Sequence, residues 1–442
     1  MLCLWLCYYR TQDCRVCPKT GRKVATERVF RPIDYVKISI FGAAIAVLWP
    51  SLHTLIIPLR LLEFASEAQK NTYLGLVTFT GSIIAVLIQP LAATLSDRFT
   101  SRLGRRRPFI LVGTLLALLF LPGIGFSYSF VFLFSSYCLL QVATNIAQGP
   151  FQAFIPDLVP EKRKGVASGI KSLAEILGAV AFLRLVAFFM DNYSTEGDEM
   201  WLWMALGFPG LILLVAMVAT MLTVKERPLS PGVQPSTRKA MLGAYKIDAR
   251  GHPGFVWFLI SRLFILMAMV VLQTFALYFI RDVIHHPNPA GVTADLMITV
   301  GIFLLLAVYP AGQLSDKLGR KPIILFSGLI GIAGIAVLFL ARTYSGILVC
   351  GSLLGLSSGA FLSSNWALAT DLVPPGEEAR YLALTNIATA GAGALARLTG
   401  PAIDFFNAQQ LGLGYSVMLL ICIFYFLLGS LLVLPVRKKV GR

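Results

Sequence analysis

Leu95-Ser96-Asp97-Arg98 and Leu314-Ser315-Asp316-Lys317 decide the fold of this sequence, because each ends a long apolar run, 73–95 in one case and 294–314 in the other. About 20 apolar residues of helix, rising about 1.5 Å each, cross the hydrocarbon core of a bilayer. Ten further runs of this kind occupy 36–59, 108–127, 130–155, 165–189, 201–224, 254–280, 322–341, 346–372, 381–405 and 415–434. They are continuous rather than alternating with a period of two, so they read as helices and not as barrel strands. The reading is an all-α polytopic membrane protein with about twelve transmembrane helices.

Composition agrees. The chain is 57% hydrophobic and 14% charged, with a mean hydropathy of +0.75, whereas soluble domains carry roughly a quarter charged residues. A net charge of +16 raises nucleic acid as a partner, but its distribution excludes it. Lys and Arg gather in alternate breaks, at 98–107, 162–164, 225–250, 317–321 and 437–442, while the break at 191–199 holds Asp191, Glu196, Asp198 and Glu199 and no Lys or Arg. That asymmetry is the positive-inside pattern. It places both termini in the cytoplasm and makes the bilayer, expected to be a plasma (inner) membrane, the partner of a monomer. Cys138, Cys350 and Cys422 lie singly in apolar runs, so no disulfide framework is expected. Cys14-x-x-Cys17 has no second pair and no paired His, so no metal site is expected either.

Pro228, Pro231, Gly232 and Pro235 mark a linker and divide the chain into an extension (1–35), a six-helix bundle (36–224), the linker (225–253), a second six-helix bundle (254–435) and a tail (436–442). The bundles repeat one another. Besides the Leu-Ser-Asp pair, Asp157-Leu158-Val159-Pro160 closes the fourth run and Asp371-Leu372-Val373-Pro374 the tenth. Two motifs recurring at almost one offset imply a six-plus-six duplication, an arrangement that puts a solute site between the bundles.

The run from Gly312 to Lys321, with Gly312, Asp316, Lys317, Gly319 and Arg320 in place, resembles the loop signature Gly-x-x-x-Asp-Arg/Lys-x-Gly-Arg-Arg/Lys of the major facilitator superfamily. The first-half copy, with Asp97, Arg98, Gly104 and Arg105, is longer. Together with Gly149-Pro150-Phe151-Gln152-Ala153-Phe154-Ile155-Pro156-Asp157 it resembles the glycoside-pentoside-hexuronide cation symporters and the related sucrose carriers. The resemblance implies the major facilitator fold in two pseudo-symmetric bundles and secondary transport of a sugar or glycoside. Melibiose-type symporters of that group carry acidic cation ligands in the second span. The run 73–95 has none, so a proton is favoured over sodium as the coupling ion, with no other cofactor.

Charged residues inside spans are costly and mark candidate sites. Lys171 and Glu175 lie four apart on the fifth span and share a face; Glu175 sits about 18 Å into the membrane and is either a proton carrier or half of a permanent pair. Arg397, ahead of Gly400-Pro401, is expected to face the solute or to balance Glu175. Arg262 and Arg184 are nearer span ends, where snorkelling is available to them. Asn145, Gln148, Gln152 and Asn365 offer amide donors and acceptors, and Trp366 an indole face, for a hydroxyl-rich solute or for interhelical bonding. His53 is a pH-sensitive gate residue or an interfacial packing residue. Gly355-Leu356-Ser357-Ser358-Gly359 fits a nucleophile elbow only in letters, since no strand precedes it; Gly351, Gly355 and Gly359 read instead as a small-residue packing stripe.

The expectation is a proton-coupled importer of a small polar solute and not an enzyme. Efflux of an amphiphile or lipid is the alternative within transport, and a non-transporting receptor or assembly factor the alternative outside it.

Overall fold

The computed structural model describes residues 31–99, 101–226, 252–340, 342–373 and 378–436; the Cys14–Cys17 pair, almost all of the linker and the end of the tail lie outside the described residues. Among the described residues, eleven helices are long and apolar enough to cross a membrane. They are α1 (Pro32–Leu61), α2 (Lys70–Arg98), α3 (Arg107–Gly125), α4 (Phe130–Leu158), α5 (Glu161–Glu196), α6 (Glu199–Thr223), α7 (Pro253–Ile284), α8 (Pro289–Leu318), α9 (Arg320–Leu340), α10 (Tyr344–Leu372) and, after the eleventh span, α13 (Leu413–Leu431).

The span expected over 381–405 is a correction in form. It is built as α11 (Glu378–Arg397) and α12 (Gly400–Gln409), and neither piece alone is long and apolar enough to be counted as a crossing. The interruption falls at Leu398 and Thr399, just before Gly400-Pro401, where proline begins a new helix more readily than it continues an old one.

Helix ends follow local chemistry. Pro32 opens α1, and the Asp34 carboxylate accepts the Arg31 N–H at 2.9 Å. Among the described residues, three helices carry a cap of their own: Ser129 Oγ accepts from Phe132 N at 3.3 Å, Asp198 from Met200 N at 2.8 Å, and Thr343 Oγ1 from Gly346 N at 3.1 Å.

The two halves pack in parallel schemes. In the first, α1 lies on α5 and α6, and α4 on α2 and α3; in the second, α7 lies on α11 and α13, and α10 on α8 and α9. The glycine stripe of α10 serves that last contact, since a Cβ on Gly355 would sit 2.5 Å from the Val300 carbonyl oxygen and one on Gly359 2.5 Å from that of Leu304. Between the halves, α5 meets α8 and α2 meets α11 and α12. The face that bears the Asp97 and Asp316 turns is termed the loop face, and the opposite one the far face.

Candidate transport site and gates

On the loop face both turns are ion-paired clamps. Arg106, buried, pairs with Asp97, reaches Asp157 at 3.1 Å, and donates to the Ala93 carbonyl at 3.0 Å; Arg105 reaches Asp157 at 2.6 Å. In the second half Arg320 pairs with Asp316 and reaches Asp371 at 3.4 Å and Ser315 Oγ at 3.2 Å. The Arg–Asp separation along the chain is 51 residues in both cases, so the duplicated motifs are joined by duplicated contacts. Lys317 and Arg98 are exposed at the rim, and Gly312 lies against Ser363 of α10.

The first clamp has an extra part. Glu226, just past α6, accepts the backbone N–H groups of Arg105, Arg106 and Arg107 at 2.7–3.1 Å and so caps the start of α3. Gly104 has a φ of +106°, and a Cβ there would lie 2.7 Å from the Glu226 carboxyl carbon. Gly319 has a φ of +94° but only Pro322 Cδ nearby, at 3.8 Å. Gly104→Ala is therefore expected to cost about 1–2 kcal/mol from backbone strain alone and more from the clash, giving a larger drop in denaturation midpoint than Gly319→Ala. Equal drops would show that the Glu226 contact adds nothing.

Deeper in the first half, a π-helical turn of α1, Ser51–Ile56, carries His53. Its Nε2 is 2.9 Å from the Tyr137 hydroxyl, which accepts from Gln141 Nε2 at 2.8 Å and is thereby free to donate its own proton to an unprotonated imidazole. Asn145 Nδ2 continues the chain to Gln141 Oε1 at 3.1 Å, and Trp49 stacks on His53 with ring centroids 4.9 Å apart. His53 is thus bonded within the helix bundle rather than merely packed at the interface. Arg397 enters this region from the second half, donating to Ser82 Oγ and, at 2.8 Å, to the Gly393 carbonyl, close enough for its charge to act on His53 and Tyr137.

Arg397 does not pair with Glu175. Among the described residues it has no carboxylate partner, and Glu175 is held by Lys171 at 3.1 Å, against Gly42 of α1. Lys171 Nζ lies over the Phe151 ring at 5.5 Å. Arg262 does not snorkel: it is 5% exposed, donating through Nε to Thr389 Oγ1 at 3.0 Å and through Nη1 to Asn365 Oδ1. Arg184 reaches across to α8, pairing with Asp295 at 3.3 Å. Gln148 is half-buried, Gln152 exposed and Trp366 45% exposed, and no hydrogen bond among the described residues links these three to either arginine cluster. In each cluster one buried donor lacks a partner, Arg397 Nε in one and Asn365 Nδ2 in the other.

The hydrogen bonds and ion pairs that join the halves among the described residues run from Arg397–Ser82 outward to the far face. Lys70 pairs with Asp282 at 2.6 Å, Arg281 with Glu67 at 2.9 Å, and Tyr278 donates to the Pro58 carbonyl at 2.7 Å. The backbone of α2 touches those of α11 and α12, since a Cβ on Gly75 would lie 2.4 Å from the Arg397 carbonyl oxygen and one on Gly400 2.2 Å from that of Asn71. Above them is a cavity of about 580 Å³ lined by Glu67, Lys70, Arg281, Asp282, His285 and Tyr415 among others. Burial raises the Glu67 carboxyl pKa, but the hydrogen bonds from Lys70 and Arg281 outweigh it and hold the group below the usual carboxylate range. Sequence reasoning missed Lys70, Asp282 and Asp404 as site residues; Asp404 stood inside the run 381–405, and an intramembrane carboxylate was the available signal.

Residues 36–397 match the family model described as Major Facilitator Superfamily, with a second match over 283–441. Proton-associated sugar transporter A of Homo sapiens is 33% identical over 191 residues, which are 38% of this chain and 24% of that protein. Sucrose transport protein SUC3 of Arabidopsis thaliana is 27% identical over 132 residues, 25% of this chain and 22% of that protein. These alignments span about a quarter of the relatives' length. The crystal structure of the nucleoside transporter NupG superposes with a TM-score of 0.71 at 14% identity, covering 91% of this chain and 100% of that one, which establishes likeness of fold. These relatives and neighbours are transporters, not enzymes.

Proposed function

We propose, from the premise that this chain belongs to the Major Facilitator Superfamily, that it carries a sugar or glycoside across its membrane by alternating access, driven by protons. The observation that carries the solute class is the pair of arginine-centred polar clusters, one extending between the halves and one within the second, each with a buried donor unpaired. A buried donor without an acceptor is costly, and solute hydroxyls are acceptors of the right kind. The names of the human and Arabidopsis relatives point the same way.

Closure of the far face fits one end state of alternating access, with the loop face turned to the cytoplasm as the positive-inside pattern has it. Glu175 is the coupling candidate: its carboxylate is held by Lys171 at 3.1 Å, and parting the two when a proton is taken up links that proton to the α1–α5 contact. Both clusters come from one chain, so a monomer suffices, embedded in the plasma membrane and without a nucleic-acid partner.

The test is uptake of a labelled sugar panel by proteoliposomes with and without an inward proton gradient, repeated for Glu175→Gln. At least one sugar is expected to accumulate only with the gradient, and the variant to lose that dependence while still exchanging sugar across the bilayer. Gradient-driven accumulation unchanged in Glu175→Gln would remove Glu175 from the mechanism. No uptake of any sugar would end the substrate assignment.

A further inference from the structure

We propose that Asp191 and Asp404 form a reciprocal gate on the far face, in which each half of the carrier caps a helix of the other. Asp191, near the end of α5, accepts the backbone N–H groups of Ala290 at 2.9 Å and Gly291 at 2.7 Å, in the first turn of α8. Asp404, on α12, accepts the backbone N–H of Thr72 at 2.6 Å and Asn71 Nδ2 at 2.8 Å, in the first turn of α2. The offset in sequence that carries Ser96 onto Ser315 carries Thr72 onto Gly291. Equivalent N–H groups of the two halves therefore bind a carboxylate from the opposite half.

The first-turn N–H groups of a helix have no partner within it, and they form its positive end. Helices α4, α6 and α10 satisfy theirs with Ser129, Asp198 and Thr343, the residues just before them. Helices α2 and α8 do not: Gln69 and Asn288, at the same position, make no side-chain cap bond. Their caps are supplied from across the interface. The spacing is fitted to this exchange, since a Cβ on Gly291 would lie 2.8 Å from Asp191 Oδ2 and 2.2 Å from Arg184 Nη1. Around Asp191 stand Arg184, its partner Asp295 and His286; around Asp404 stand Tyr415, Tyr278 and the Lys70–Asp282 pair.

Such a cap releases without large loss. When the halves part, water takes both the carboxylate and the N–H groups, so the gate is strong enough to bias the closed state and weak enough to open. The inference rests on the alternating-access reading, but its readout needs no solute.

The test uses the full chain with Thr78→Cys as reporter. Thr78 is 1% exposed and shares a face of α2 with Asn71, Gly75 and Ser82, beneath the gate. An impermeant thiol reagent is applied to each face of sealed vesicles in turn, with the parent chain lacking the reporter as the blank. Asp191→Asn and Asp404→Asn are each expected to raise labelling from the far face about threefold to fivefold, and the double variant about tenfold or more. Asp198→Asn, which takes the charge from a cap local to its own helix, is expected to leave the rate unchanged. Cys350 and Cys422, buried in the fold, serve as the folding control by staying unreactive to a permeant reagent. Labelling of both folded single variants at the rate of Thr78→Cys alone overturns the gate, as does an equal rise in Asp198→Asn. A failed sugar panel would leave this result standing.

Discussion

Arg106→Leu is expected to destabilise the protein by about 3 kcal/mol or more, seen as a lower denaturation midpoint in detergent and a poorer folded yield. The reason lies in what the guanidinium holds. It is 4% exposed and joins Asp97 at the end of α2, Asp157 at the end of α4, Ser96 Oγ at 2.5 Å and the Ala93 carbonyl. Removing it leaves two half-buried carboxylates side by side, and stranding buried charge costs more than the pair itself contributes. Arg105 shares Asp157 and softens the loss there, but it stands 3.9 Å from Asp97. Arg320→Leu is the internal comparison. Asp316 and Asp371 are 65% and 42% exposed at their side chains, water takes over much of the solvation, and the loss is expected to be about 1 kcal/mol or less. A deficit for Arg320→Leu as large as that for Arg106→Leu would mean that burial does not set the cost.

The sequence made the spans, the duplication and the clamp residues legible because their signals are local: apolar runs, basic breaks and short motifs within one loop. It carried both Asp157 and Asp371 as repeats but not their bond to the arginines, which needs the ends of three helices brought together. The Arg397–Ser82 contact joins residues 315 apart and could not be read from either segment, so Arg397 was matched with Glu175, the acidic residue nearest mid-span. Glu175 and Lys171, four residues apart on one helix, were legible for the opposite reason. The run 381–405 is apolar on average and so reads as one span, with Gly400-Pro401 loosening the helix after Arg397; that the loosening is a full division into α11 and α12 needed the structure. Asp191 and Asp404 have backbone N–H partners, and no side-chain pattern in the sequence points to a backbone group in another half.

Arg397→Lys is expected to lower the kcat/KM of sugar uptake by about tenfold to a hundredfold with little change in denaturation midpoint. The positive charge is kept, so the field at His53 and Tyr137 persists, and what is lost is the planar fork. That fork holds Ser82 of α2 and the Gly393 carbonyl through Nη1 and leaves Nε unpaired in a buried place. Lysine has three donors, but they converge on one nitrogen, so it can keep the Ser82 and Gly393 contacts without offering a second edge, where Nε stands, to a solute oxygen. Ser82→Ala separates the two duties: it removes the contact between halves while sparing the fork, so its effect is expected in far-face accessibility rather than in sugar affinity. If Arg397→Lys raises KM while Ser82→Ala does not, the arginine meets solute. If the two variants change uptake alike, Arg397 acts through the closure of α2 on α11, and solute recognition falls to Arg262 and Asn365 in the second half.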